Sequence, residues 1–246
     1  MTHRPRAGDV TSGSEVAPPP RAGSPSLRAA LLIVALLAVF YGPALGGGRF
    51  LFRDTGRMHV PVKEFMGAEL RAGRFPSWNP YYGLGMPIVG AAVDSPLHPL
   101  ALLPALLPVH VAVTLWVLVA HLAAALGMRA WLRGHGAGEV AALAAGLGFA
   151  FTGHLVSSTD NLTYLAAIAS VPWVFAAADR WFARGTPGAL ALLGVASFLC
   201  AAAGDPQGWG LTVLAAPVLA LLLQPAGAPG RPTALRGALA VGVCLA

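Results

Sequence analysis

The sequence predicts an all-α, polytopic integral membrane protein with about six or seven transmembrane helices and a large first outer loop. Three observations carry that expectation. Hydrophobic residues make up 56% of the 246-residue chain and charged residues only 11%, whereas a soluble domain carries about 25% charged residues. The apolar residues come in runs of nearly 20, about the length that crosses a hydrocarbon core of ~30 Å as a helix. Arg residues recur in alternate connections between those runs, as they do when they orient spans.

Other classes fall away on the same numbers. The net charge of +6 and pI near 10.1 do not mark a nucleic-acid surface, because the Arg residues are scattered between apolar runs. The two cysteines, Cys200 and Cys244, each sit inside an apolar run. They form neither a disulfide framework nor a metal spacing, and read as small apolar fillers.

The elements follow in order. Residues 1–26 are rich in Pro, Gly, Ser and Arg with little to bury, the composition of a disordered tail. The run 27–45 is long for a secretory signal, and "PALGGG" lacks a clear cleavage pattern, so it reads as an uncleaved first span. Further spans are expected near 109–131, 139–157, 162–182, 187–203 and 208–224. A seventh begins near 233; its fourteen residues reach only about 21 Å, and the transmembrane domain 27–246 is therefore read as truncated at its C-terminus.

Arg129 and Arg133 flank or occupy the 132–138 connection, Arg180 and Arg184 the next such connection, and Arg231 and Arg236 a third. Connections 157–162 and 204–208 hold no Lys or Arg. The first set is expected to be cytoplasmic, with the N-terminal tail on the same side and loop 46–108 outside. That loop holds Arg49, Arg53, Arg57, Lys63, Arg71 and Arg74, against the orientation rule, and an anionic ligand is one reason for such a loop.

Within the loop, "GGGRFLFRDTGR" is a flexible exit carrying Asp54. In "HVPVKEFMGAELRAG", Val62, Phe65, Met66 and Leu70 fall at helical spacing after a Pro suited to a first turn. Residues 58–72 are expected as an amphipathic helix on the membrane surface. "RFPSWNPYYGLGMP" is no regular helix, because Pro76, Pro80 and Pro87 interrupt it. Trp78, Tyr81 and Tyr82 suit the headgroup level. "DSPLHPLALLPALLP" reads as an interfacial or re-entrant piece. In the third span, Ala142, Gly146 and Ala150 are small residues spaced for close helix packing.

An Asp in the first outer loop, then "P-x-W-N-P", "G-x-P" and "S-P-x-x-P-L", resembles the YfhO-like bacterial membrane proteins of the GT-C superfamily. "LGFAFTGHLVS" (147–157), "VPWVFAAADRW" (171–181) and "GDPQGW" (204–209) extend the likeness over most of the chain after residue 45. Ser77 stands where the family often has Leu, and Asp205 where a His is expected. The resemblance implies a glycosyltransferase of the bacterial plasma membrane. It would move a sugar from a polyprenyl-phosphate donor to an extracytoplasmic cell-envelope acceptor, a glycan or glycopolymer.

It also implies Asp54 as the base that takes the acceptor's proton. Arg53, Arg57, Lys63 and Arg74 become candidates for the departing phosphate. Trp78, Asn79 and Tyr81 of the proline run, and Gln207 of "GDPQGW", join the substrate-binding set. Asp94, Asp160 and Asp205, with His98 and His154, map to outer ends of spans. They either ring one cavity, with room for a divalent cation on oxygen ligands, or gather there as polar residues do at loop ends. No DxD pair occurs, and no metal ligand is assigned. "NLT" (161–163) matches an acceptor sequon but sits against a span.

Two other classes stay open. A transporter would place ionisable groups near the bilayer midplane, where only His121 lies. A non-catalytic assembly subunit would show the same small-residue packing as an enzyme.

Overall fold

The computed structural model describes residues 27–91, 94–223 and 234–245. The expected N-terminal tail lies outside them. The described residues form an all-α fold apart from a two-residue antiparallel pairing of Trp78–Asn79 with Met86–Pro87. The principal helices are α1 (Leu27–Phe40), α2 (Val60–Arg71), α3 (Val109–Gly134), α4 (Glu139–Ala150), α5 (Leu162–Arg184), α6 (Pro187–Ala202), α7 (Pro206–Leu222) and α8 (Ala234–Leu245).

Helix starts follow local chemistry. Asn161 caps α5 by accepting from the Thr163 and Tyr164 amides. Thr186 and Asp205 cap α6 and α7, each followed by a proline in the first turn. Such caps satisfy amides that have no partner within the helix. Gly185 ends α5 at φ +63°, a left-handed position that glycine adopts without Cβ strain.

Among the described residues three stretches are long and apolar enough to cross a membrane: Val109–Gly134, Glu139–Asp160, in which α4 continues through two short turns, and Leu162–Arg184. Helices α1, α6 and α7 are apolar but shorter, at 14, 16 and 17 residues. They reach about 21–26 Å against a core of ~30 Å. Their outward faces are apolar: Leu31, Leu32, Val195, Phe198, Leu211 and Leu214 are all exposed.

Helices α3 and α5 form the centre. α3 packs on α4 and α5, and α5 packs on α6 and α7. The buried residues of α4 are Ala142, Gly146 and Ala150, the small residues of the predicted packing stripe. A Cβ on Gly146 would stand 2.5 Å from the Ala125 carbonyl oxygen of α3, so only glycine allows that approach. One apolar core joins α1, α2, α3 and α5 through Ile33, Met66, Trp116 and Leu165. A second joins α5 to α8 through Phe182, Leu193, Val213 and Cys244.

The connections sort to two ends. At the loop end, Thr55 Oγ1 donates to the Thr159 carbonyl (2.9 Å) and Ser95 Oγ to the Ala203 carbonyl (2.5 Å). Loop 46–108 therefore meets both connections that lack Lys and Arg. At the far end, His135 contacts Asp179 (2.7 Å) and Arg236 donates to the Phe182 carbonyl (3.1 Å). The described Arg-flanked connections, 135–138 and 185–186, gather there with Arg236 of α8.

The predicted surface helix forms, as Val60–Arg71 behind a wide turn at Thr55–His59, but its apolar face is not turned to lipid. Val62 and Met66 are buried, and the helix packs on α3 and on the short helix Leu103–Leu106. A Cβ on Gly67 would overlap the Pro104 carbonyl. The proline-broken segment expected as an interfacial piece instead packs against this helix. An apolar stripe is satisfied equally by lipid or by protein, and here protein covers it.

Candidate functional site

The loop end holds three groupings of polar side chains. The first surrounds Asp54. Asn161 Nδ2 donates to Asp54 Oδ2 at 3.4 Å, and Asn161 Oδ1 accepts from His59 Nε2 at 3.3 Å. The amide orientation is set by the cap, because Oδ1 also accepts the Thr163 and Tyr164 amides. His59 Nε2 must then carry the proton. The Asp54 carboxylate is exposed yet tethered at one oxygen. Beside it, Arg53 pairs with Asp160 at 3.4 Å. Arg53 holds φ +48°, a conformation that non-glycine residues rarely adopt.

The second grouping lies beneath α2. Lys63 is 1% exposed. Its ammonium donates to the Asp94 backbone carbonyl and sits 4.3 Å from the centre of the Trp116 ring, a cation–π contact. The Asp94 side chain is buried, and neither carboxylate oxygen has a hydrogen-bond partner among the described residues. Burial pushes Lys63 below the usual ammonium range and Asp94 above the usual carboxylate range, and the opposite charge of each partly opposes both shifts. His98 stacks near Trp116, at 5.3 Å between ring centres. Burial, then the Lys63 charge, pushes His98 down to about 4. The same two causes push His59 down to about 4.

The third grouping is a half-open groove of about 450 Å³ between α2 and the proline run. Arg57, Glu64 and Phe65 line one wall; Asn79, Tyr81 and Tyr82 line the other. The hairpin that carries the second wall is held by its two-residue pairing. Asn79 is buried and accepts the Tyr81 amide at 3.0 Å. Gly85, at φ +100°, lies against the Trp78 ring, where any Cβ would clash.

The sequence-derived candidates therefore separate. Asp54, Arg53 and Asp160 come together; Arg57, Asn79 and Tyr81 meet at the groove. Lys63, expected as a surface phosphate ligand, is corrected: it is enclosed, with its charge turned towards the Asp94 carbonyl. Arg74 is occupied by a two-pronged pairing with Glu69, at 2.8 and 2.6 Å. Trp78 is exposed and supports the hairpin.

The expected ring of Asp94, Asp160, Asp205, His98 and His154 does not assemble. Asp94 and His98 lie under α2, Asp160 faces Arg53, and Asp205 caps α7 through the Gly208 amide at 3.0 Å. Gln207 is exposed in the first turn of α7. Among the described residues no group of three His, Cys, Asp or Glu side chains is arranged to hold a metal ion.

Residues that sequence reasoning passed over are Asn161, His59 and Glu64. Asn161 carried a signal, since Asn before an apolar run is an N-cap pattern. Its contacts to His59 and Asp54, 102 and 107 positions away, carried none. In comparisons with protein-family models, curated proteins and solved structures, nothing matched the chain.

Proposed function

We propose that this chain is a membrane glycosyltransferase of the bacterial plasma membrane. It transfers a sugar from a polyprenyl-phosphate donor to an extracytoplasmic cell-envelope acceptor. Asp54 is the general base, and its loop faces the acceptor side. The N-terminus lies in the cytoplasm.

The observation that carries this reading is the setting of Asp54. Its carboxylate is exposed, so it meets an acceptor hydroxyl without a desolvation cost. It is tethered through one oxygen to Asn161, so its position is restrained while the other oxygen stays open. A base must reach the proton it removes, with geometry ahead of pKa. Arg57 stands about one helical turn further on and lines a groove beside α2.

The test is turnover of purified protein with lipid-phosphate sugars. Asp54→Asn preserves shape and removes charge, so expression and membrane insertion survive. Turnover falls by about 10²–10⁴-fold, the usual contribution of a general base. Turnover within about threefold of wild type corresponds to under ~1 kcal/mol of barrier and excludes Asp54 as the base.

A further inference from the structure

We infer that the groove between α2 and the proline run is a subsite for an uncharged sugar ring, rather than for the lipid phosphate or its hydrocarbon tail. This deepens the proposed glycosyl-transfer reading and rests on it for the biological role of the sugar. The binding chemistry stands on the groove itself.

The first argument is charge. Five of the ten charged residues of loop 46–108 are engaged in ion pairs or by backbone carbonyls: Arg53 with Asp160, Glu69 with Arg74, Lys63 with the Asp94 carbonyl and Arg71 with the Pro104 carbonyl. Arg57 and Glu64 both line the groove, and among the described residues neither has an ion pair or side-chain hydrogen bond. The groove thus offers one guanidinium and one carboxylate, with no net charge. A phosphate calls for excess positive charge, and a carboxylate in the same wall opposes it. A polyhydroxylated neutral ligand needs both a donor and an acceptor, which this pair supplies.

The second argument is the opposite wall. Tyr81 is 82% exposed and Tyr82 is 54% exposed, each ring presenting an apolar face and a hydroxyl. Tyr81 is not loose: its ring meets Phe65 edge-on at 5.8 Å between centres, and its amide is bound by Asn79. A pyranose has the matching surface, apolar C–H faces edged by hydroxyl groups. The Asn79 amide nitrogen has no hydrogen bond among the described residues, which adds a donor at the floor. The volume of about 450 Å³ lies within the range of ~300–1,000 Å³ for small-molecule sites. Of the apolar residues of α2, Val60 and Met66 are buried in the protein, while Pro61, Phe65 and Ala68 line the groove and offer a short apolar surface to the C–H face of a ring.

The test uses full-length protein in lipid nanodiscs, because sugar-headed detergents would compete. Saturation-transfer NMR is recorded with methyl glucoside, methyl galactoside and N-acetylglucosamine, and in a separate arm with a sugar-free polyprenyl phosphate. At least one neutral sugar gives transfer in wild type. Tyr81→Ala and Glu64→Ala weaken that sugar by about tenfold, the loss of a ring face or a hydrogen-bonding group. Tyr81→Phe keeps the ring and most of the affinity. Polyprenyl-phosphate binding is unchanged in all three variants.

Failure of every neutral sugar to bind overturns the inference, as does loss of polyprenyl-phosphate binding in the groove variants with sugar binding intact. Should Tyr81→Ala fail to fold, Glu64→Ala on the exposed helix face decides alone. The two readings fail separately. Sugar binding that depends on Tyr81 and Glu64 with Asp54→Asn fully active keeps the subsite and removes the base. An inactive Asp54→Asn with no neutral-sugar binding does the reverse.

Discussion

The two ends of the helical body treat charge in opposite ways. At the far end, Arg129 is 2% exposed and grips Glu139 through two hydrogen bonds of 2.9 and 2.8 Å. Arg133 adds a longer contact to the same carboxylate at 3.6 Å. Asp179 accepts from both the Trp131 indole and His135 at 2.7 Å. These contacts tie the α3–α4 connection to α3 and α5. Around Asp54 and Asp160 at the loop end the contacts to carboxylates are longer, at 3.4 Å for both Arg53–Asp160 and Asn161–Asp54, and the short pair there, Arg74 with Glu69, lies on the exposed surface. The Asp94 carboxylate is buried with no hydrogen-bond partner among the described residues, and Arg57 and Glu64 stand open at a groove. Short, doubled contacts around buried charge fix helices in place. Single long contacts restrain a side chain and leave it able to meet a ligand.

The largest effect that breaks this contrast is expected at the far end. Glu139→Ala leaves the Arg129 guanidinium buried without its carboxylate. Arg129 is enclosed while the Glu139 side chain is 43% exposed, so the cost is that of leaving a buried donor unsatisfied, about 1–3 kcal/mol. Denaturant unfolding in mixed micelles measures it, and Glu139→Gln, which keeps an acceptor oxygen, loses less. A Glu139→Ala loss below ~1 kcal/mol would mean that this pair behaves as a surface bridge and that the two ends do not differ.

The second effect is a pH dependence of the loop end. His59 titrates near 6.5 when unfolded and is pushed down to about 4 in the fold by burial, then by Lys63, with Asn161 and Asp54 opposing. The unfolded chain therefore binds the proton first. His59's contribution to stability is present above pH 6.5 and is lost as pH falls towards 4. His98 acts in the same sense, and Asp94, whose folded value is raised, in the opposite one. His59→Gln keeps a hydrogen-bonding side chain towards Asn161 and cannot titrate. It should reduce the slope of stability against pH in that window by at most ~1.4 kcal/mol per pH unit. Parallel wild-type and variant profiles would show that His59 is not enclosed.

The smallest effect sharpens the comparison within the loop end. Arg74 and Glu69 pair on the exposed surface, where hydration and side-chain entropy offset attraction. Arg74→Ala is expected to leave the unfolding midpoint and polyprenyl-phosphate binding unchanged. Weaker phosphate binding in Arg74→Ala would return that residue to the ligand site.

Particular residues show how much of this was legible in the sequence. The proline run could not be helix, and it forms a hairpin. Ala142, Gly146 and Ala150 were spaced for close packing, and they are the buried residues of α4. Asn161, Thr186 and Asp205 precede helices because their side chains satisfy free amides. Arg spacing divided the connections into two sets, and the structure puts their described members at opposite ends. All of these rest on interactions within a few positions of the chain, or on a period set by helix geometry.

Tertiary structure decided the rest. Periodicity marks an apolar face of α2 without stating what covers it, so lipid and the Leu103–Leu106 helix were indistinguishable from sequence. Lys63 looked like its basic neighbours, and only the packing of α2 on Trp116 enclosed it. Asp54 met Asn161, and Asp160 met Arg53, across more than a hundred positions. The expected ring of Asp and His side chains dispersed because sharing a span end does not fix the direction in which a side chain points. Local sequence determines where helices start, stop and turn. Which charges are buried, paired or left open depends on which distant surface arrives to cover them.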